Sequence, residues 1–294
     1  MPNKNLKWIF LLLLSVVWGS SFILIKKGLV GLTPLQVGSL RTVFAALFLM
    51  VIGFGSLKHI KGKQWKWIAF SGFFGTFFPA YLFSFAETEI DSAIVSILNS
   101  TTPLLSMLLG IFLFEAPFIK RKFAGVFVGL AGTTALILSG AAVNPDQNYW
   151  YSLLVILASL FYGFNANIIK KHLQTIPALA ITTGNFMVIM VPALIVLATT
   201  GFFSTEVVTA PNVPLSLLYI AILGVIGTGA ALIIFNKLIQ ISDPVFSTSV
   251  TYLVPIVALG WGILDGEGFT LFQLFSGLLI LLGVVIVNTS KKRK

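Results

Sequence analysis

The chain has 294 residues, 57% hydrophobic and only 10% charged, with a formal charge of +10 at pH 7; its mean hydropathy is +1.00. That balance is too apolar for a water-soluble domain. Zero cysteines exclude disulfides, thiolate metal sites, iron–sulfur clusters and cysteine nucleophiles, while two histidines, His59 and His172, leave little for histidine-based metal or acid/base chemistry.

A membrane-crossing helix takes about 20 mostly apolar residues. Apolar runs bounded by charges, Gly and Pro predict such helices near 7–26, 34–55, 66–87, 92–115, 122–142, 149–170, 178–200, 214–237, 244–264 and 270–289. The first follows Lys4 and Lys7 as a signal sequence would, but it runs on from Ser15 to Ile25 without a small-residue cleavage site and is read as a retained span. Its mid-region carries Trp18 and Ser21, three apart and on one face. The second contains Arg41, about 10 Å below the outer surface at 1.5 Å per residue. A guanidinium at that depth needs an ion pair, for which Glu87 and Glu89 are the candidates, or must snorkel to the headgroups.

The third span offers Tyr81. The fourth carries Ser92, Ser96, Asn99 and Pro103 at spacings of 4, 3 and 4, a single helical face. The sixth has Tyr162 and Asn165, the eighth Thr228, and the ninth repeats the 4, 3, 4 pattern as Pro244, Thr248, Thr251 and Pro255. Each of these stripes ends at a proline, which frees a carbonyl one turn earlier. In hydrocarbon a polar side chain has no water partner, so such residues point into the bundle or a wet cavity. The candidate solute-facing set is therefore Trp18, Ser21, Tyr81, Ser96, Asn99, Tyr162, Asn165, Thr228, Thr248 and Thr251, with Tyr252 and Trp261 behind it. The plainer reading is that Ser, Thr and Asn only glue helices together, for about 0.6 kcal/mol each, and that Gly72, Gly75, Gly224 and Gly227 only allow close packing. Trp8, Trp65, Trp67 and Trp150 lie near span ends, where tryptophan anchors at the interface.

Charge sets the orientation. With the N-terminus in the cytoplasm, sixteen of the nineteen basic residues fall in cytoplasmic loops or tails, only Lys26 and Lys27 fall outside, and Arg41 is within a span. Both termini are then cytoplasmic. Lysines facing anionic headgroups account for the basic charge without a nucleic-acid partner.

The chain also repeats itself. Ser15, Trp18, Gly19, Ser21 and Ile25-Lys-Lys27 recur 144 positions later as Ser159, Tyr162, Gly163, Asn165 and Ile169-Lys-Lys171. Gly72-x-x-Gly75-Thr76, Asp91, Pro103, Glu115 and Gly125 recur at an offset of 152, in Gly224-x-x-Gly227-Thr228, Asp243, Pro255, Glu267 and Gly277. The units are 1–143 and 144–294, with five spans each; an odd number places the second copy upside down in the membrane, so Glu115 is cytoplasmic and Glu267 external. The expected fold is all-α and integral to the membrane: ten transmembrane helices as two inverted five-helix repeats, an architecture that can open a central site to either side.

The residues Trp18-Gly-Ser-Ser with Lys26-Lys27, Pro34 with Arg41 and Ala45-Ala46, and Pro103-x11-Glu115-x9-Gly125 with its copy Pro255-x11-Glu267-x9-Gly277 give the chain a resemblance to the EamA-type family of the drug/metabolite transporter superfamily. The resemblance covers nearly the whole chain. It implies a multi-pass permease of the bacterial inner membrane that exports or exchanges small metabolites, commonly amino acids or derivatives, through a cavity lined by spans 1, 3, 4, 6, 8 and 9. Asp265, Gly266 and Gly268 around Glu267 depart from the family's apolar pattern and predict a looser end to span nine. No carboxylate lies at mid-span, so no buried proton relay is visible; Arg41, Glu87, Pro103, Glu115, Pro255 and Glu267 are read as gating or structural.

The leading expectation is thus an alternating-access transporter of amino acids or related metabolites, without catalytic residues, metal or cofactor. Its partners are the bilayer and a small solute, with a homodimer left open. A drug or quaternary-ammonium exporter is the alternative, since aromatics supply cation–π contacts, although no buried acid accompanies them. A membrane-embedded enzyme lacks any catalytic constellation, and a lipid-handling protein would not carry paired polar stripes.

Overall fold

A computed structural model describes residues 5–141, 148–264 and 271–288. Every regular element among them is helical. Eight helical stretches are long and apolar enough to cross a membrane. The helix α1 is Leu6–Gly28 and α2 is Pro34–Gly53. The third, α3, is composite: Trp65–Gly72, a π turn over Phe73–Phe77, then Phe78–Ala86. So is α4, with Ser92–Leu98, a 3-10 turn over Asn99–Thr101, and Thr102–Phe114. Then come α5 (Lys120–Ala141), α6 (Ser152–His172) and α7 (Ala178–Thr199). The composite pattern returns in α8, with Val213–Ile222, a π segment over Leu223–Ala230 and Ala231–Ile241. It returns again in α9, with Pro244–Thr248, a 3-10 turn over Ser249–Tyr252 and Val254–Leu264. The last, α10, is Leu271–Asn288.

Local chemistry explains the boundaries. Thr33 and Gln36 form a reciprocal capping box ahead of Pro34. Asp243 accepts from the Phe246 amide at 3.1 Å ahead of the ninth helix. Lysines close α1 and α6, where they complement the negative end of the helix dipole. The residue after Phe114, Glu115, adopts φ 57°, the left-handed conformation that ends a helix.

The interruptions in α4 and α9 follow from their prolines. Pro103 and Pro255 have no amide hydrogen for the carbonyls of Asn99 and Thr251, four residues back. Hydroxyls take its place: Thr102 Oγ1 donates to Asn99 O at 2.6 Å, and Ser100 Oγ, from the other helix, donates to Thr251 O at 2.7 Å. The orphaned acceptors at membrane depth are thereby paired, as hydrocarbon requires.

Glycines set the helix spacing. A Cβ on Gly19 would lie 2.9 Å from Val254 O, on Gly163 2.8 Å from Ser106 N, on Gly72 3.0 Å from Asn185 O and on Gly224 2.8 Å from Arg41 O. The close-packing reading of Gly72 and Gly224 describes them well. A Cβ on Gly283 would lie 2.5 Å from Gly129 N, so α5 and α10 also touch through backbone. Apolar side chains such as Leu12, Val51, Phe112 and Leu215 cover the outer surface. Two of the buried clusters in the interior lie around Phe22, Phe83 and Leu223 and around Leu14, Ile168 and Phe235; Trp18 packs on both.

Candidate functional site

A cavity lies at that seam. It holds about 780 Å³ of empty space, its open mouth included. Such a space suits a small solute. Its wall takes residues from α1, α2, α3, α4, α6, α8 and α9.

Eight of the residues picked from sequence line this one cavity: Trp18, Ser21, Asn99, Tyr162, Asn165, Thr228, Thr248 and Thr251. The other two do not. Tyr81 is turned to Ser39, with their oxygens 2.9 Å apart, and Ser96 is fully buried outside the lining. Thr76 and Phe83 take the wall positions in α3, and Tyr81, two residues before Phe83, stands on the opposite side of the helix. Trp261 is exposed, its Nε1 donating to Ser20 Oγ at 2.8 Å, and Tyr252 is buried with an unpartnered hydroxyl.

Most polar wall residues serve the protein first. Trp18 Nε1 donates to Gly227 O at 3.0 Å, and its ring meets Phe235 edge-on at 4.9 Å. Tyr162 stacks on Phe83 with ring centres 5.7 Å apart. Thr248 and Thr251 donate back to Pro244 O at 2.8 Å and Thr248 O at 2.9 Å. Asn99 Oδ1 accepts from Thr102 Oγ1 at 3.1 Å and Ser159 Oγ at 3.4 Å. Asn165 is different: it is 3% exposed, presses on Gly75, and its Oδ1 has no partner.

Arg41 forms part of this wall, which the sequence did not reveal. It is 9% exposed, and Nε donates to Thr228 Oγ1 at 2.7 Å. Thr228 passes the bond on to Leu223 O at 3.0 Å, a carbonyl five residues back in the π segment. The ion pair expected with Glu87 or Glu89 is not formed among the described residues. Glu89 is exposed, and Glu87, capping α3, accepts from Ser92 Oγ at 2.8 Å while its Oε1 is buried without a partner. Burial next to Thr228 also rules out snorkelling, since the guanidinium turns inward.

Sequence reasoning also missed the apolar wall: Phe22, Ile25, Leu232, Phe235 and Val250. Phe22 and Ile25 were within reach, because they extend the Trp18 face by 4 and 7 positions. At the other proposed gating positions, the side chain of Glu115 is exposed, with Lys171 Nζ at 3.4 Å, and Pro103 and Pro255 interrupt their helices as already described. Glu267, with Asp265, Gly266 and Gly268, lies outside the described residues. Among the described residues no group of His, Asp and Glu could hold a metal ion.

The EamA-like transporter family matches residues 6–138 and again 149–289. The chain belongs to that family. It is a multi-pass membrane protein of a transporter family, not of an enzyme family. It is 25% identical over 284 residues to the Escherichia coli (strain K12) protein named "Uncharacterized inner membrane transporter YedA", covering 95% of this chain and 89% of that one. It is 27% identical over 288 residues to a Salmonella typhimurium protein named "Probable amino-acid metabolite efflux pump", covering 94% and 92%. One crystal structure, 16% identical, superposes with a TM-score of 0.74 over 99% of this chain and 100% of the other, which shows the fold is shared.

Proposed function

We propose that this protein is an alternating-access transporter of the bacterial inner membrane that exports or exchanges small metabolites, amino acids or derivatives foremost. The observation that carries the proposal is a cavity at membrane depth whose wall includes a buried polar atom with no partner among the described residues, Asn165 Oδ1. A buried polar atom without a partner is costly; a polar solute supplies one. The names of the relatives support the transport reading and, for the Salmonella protein, the amino-acid class.

The architecture proposed is ten spans in two inverted repeats, residues 1–143 and 144–294, with both termini cytoplasmic. Several features support it. The family matches twice along the chain. The π and 3-10 interruptions recur in the same order, and Gly72 and Gly224 each pack against a backbone carbonyl, of Asn185 and of Arg41. The matched lysine-rich tails of α1 and α6 meet the first turns of different helices: Lys27 O accepts from Ser216 of α8 at 3.2 Å, whereas His172 stacks on Trp67 of α3 at 3.6 Å. Two opposed copies around one cavity can exchange shapes and expose it to each side in turn.

The quaternary-ammonium alternative fits less well, because Arg41 places a fixed cation in the wall and no Asp or Glu offsets it there. Purified protein reconstituted in vesicles tests the reading. Uptake and counterflow of labelled amino acids, purines and cationic dyes, with and without a pH gradient, should give saturable flux for at least one amino acid or derivative. No saturable flux of any solute would overturn it.

A further inference from the structure

Resting on that transport reading, we infer that the cavity selects its solute by a carboxylate held on Arg41, and that an amino group on the solute is dispensable. Three features of the wall carry this. The guanidinium is nine-tenths buried, yet only Nε is bonded to protein; its two terminal nitrogens have no partner among the described residues, and no carboxylate lies within ion-pair distance. Those nitrogens form the planar fork that matches a carboxylate two bonds at a time. The bond from Nε to Thr228, itself anchored on Leu223 O, fixes the fork's plane before any solute arrives, so little ordering is left to be done on binding.

The second feature is the sign of the wall. Arg41 is its only charged residue. Glu87 acts on Arg41 electrostatically from outside the lining, where one of its oxygens accepts from Ser92. Within the lining itself a solute ammonium meets a fixed positive charge and no negative one. A single guanidinium also balances one negative charge, which favours a carboxylate over a phosphate ester carrying nearly two.

The third feature is what surrounds the fork. Phe22, Phe83, Leu232 and Phe235 give the wall an apolar part beside its hydroxyls and amides, a place for a hydrocarbon or aromatic tail. A carboxylic acid with an apolar tail satisfies all of this. The amino group of an amino acid has at most a neutral acceptor, such as the Asn165 amide oxygen. The site should thus take 2-hydroxy and simple carboxylic acids alongside amino acids.

Matched solutes on butyl and phenylpropyl skeletons decide the question: for each, the plain acid, the 2-amino acid, the acid's methyl ester, the amine and the phosphate ester. Their competition for counterflow in vesicles, and their binding to purified protein by tryptophan fluorescence, are compared. A site built around one charged partner should bind acid and amino acid within about threefold of each other and the ester, amine and phosphate at least about thirtyfold more weakly. Arg41→Gln should bring the acid down to the level of the ester, and Arg41→Lys, which keeps charge without the fork, should fall between. The wild-type comparison needs no variant, so it stands even where Arg41→Gln fails to fold. An amine or ester competing as well as the acid overturns the inference, as does a folded Arg41→Gln that keeps the preference, or acids inert on both skeletons. If cationic solutes alone are carried, carboxylate selection falls and transport stands; if nothing in either panel crosses, both fall together.

Discussion

Two helix crossings have nearly the same backbone and opposite chemistry. Where α8 meets α2, Gly224 lets the chain approach Arg41 O; where α3 meets α7, Gly72 does the same at Asn185 O. The side chains then part ways. The amide of Asn185 is 3% exposed and lies 3.0 Å from Ser71 Oγ; with its oxygen turned to that hydroxyl, its nitrogen also reaches Ile68 O at 3.0 Å and Ile181 O at 3.1 Å. Arg41 satisfies one nitrogen on Thr228 and faces the cavity with the rest. The Asn185 crossing is closed within the protein, and the Arg41 crossing is left open. Similar crossings can thus carry one group closed within the protein and one that faces the cavity.

Substitutions at these crossings should separate the two roles. The largest expected effect is steric: Gly224→Ala drives a Cβ to 2.8 Å from both Arg41 O and Phe44 Cβ, and overpacking of this kind costs about 1–3 kcal/mol. Thermal denaturation in detergent should show it clearly, with Gly72→Ala, at 3.0 Å, destabilising less; equal or reversed effects would mean the crossings relax differently from what their spacing implies. Next, Asn185→Leu strands Ser71 and should lower stability by about 1–2 kcal/mol, while transport per folded molecule is unchanged. Arg41→Lys should behave in the opposite way, losing flux with little change in the melting temperature. Should both variants lose only stability, the contrast drawn between the crossings is wrong.

Smaller effects refine the picture. Trp18→Phe keeps the ring beside Phe235 but removes the Nε1 bond to Gly227 O, a loss of about 1 kcal/mol that denaturation can resolve. Smallest is Glu115, whose side chain is 90% exposed beside Lys171: Glu115→Gln should shift stability by less than about 0.5 kcal/mol. Glu115→Asn, better suited to φ 57°, should be neutral or slightly stabilising.

Helix placement was legible in the sequence because apolar length is nearly all that a span needs: predicted starts at 34, 178 and 244 coincide with those observed. The polar stripes of spans four and nine were legible in part: Asn99, Thr248 and Thr251 line the cavity, whereas Ser96, on the same stripe as Asn99, is buried outside it. Tyr81 failed for a definite reason, because it lies two residues from the lining Phe83, on the opposite side of the helix, where it meets Ser39. Arg41 failed for another. Its depth was readable, but its partner was sought among carboxylates, and the bond that aims it comes from Thr228, a neutral residue 187 positions away.

The Ser100 hydroxyl reaches across to Thr251 O, the carbonyl that Pro255 leaves without its usual donor. No water is at hand in hydrocarbon, so that oxygen must keep some donor through any rearrangement. In the alternating-access reading proposed above, opening toward either face is easiest as a tilt about this bond, with both ends of the molecule swinging and the fulcrum almost still. Removing the hydroxyl would loosen the pivot itself, a fault felt in the rate of switching before it is felt in the shape of either end state.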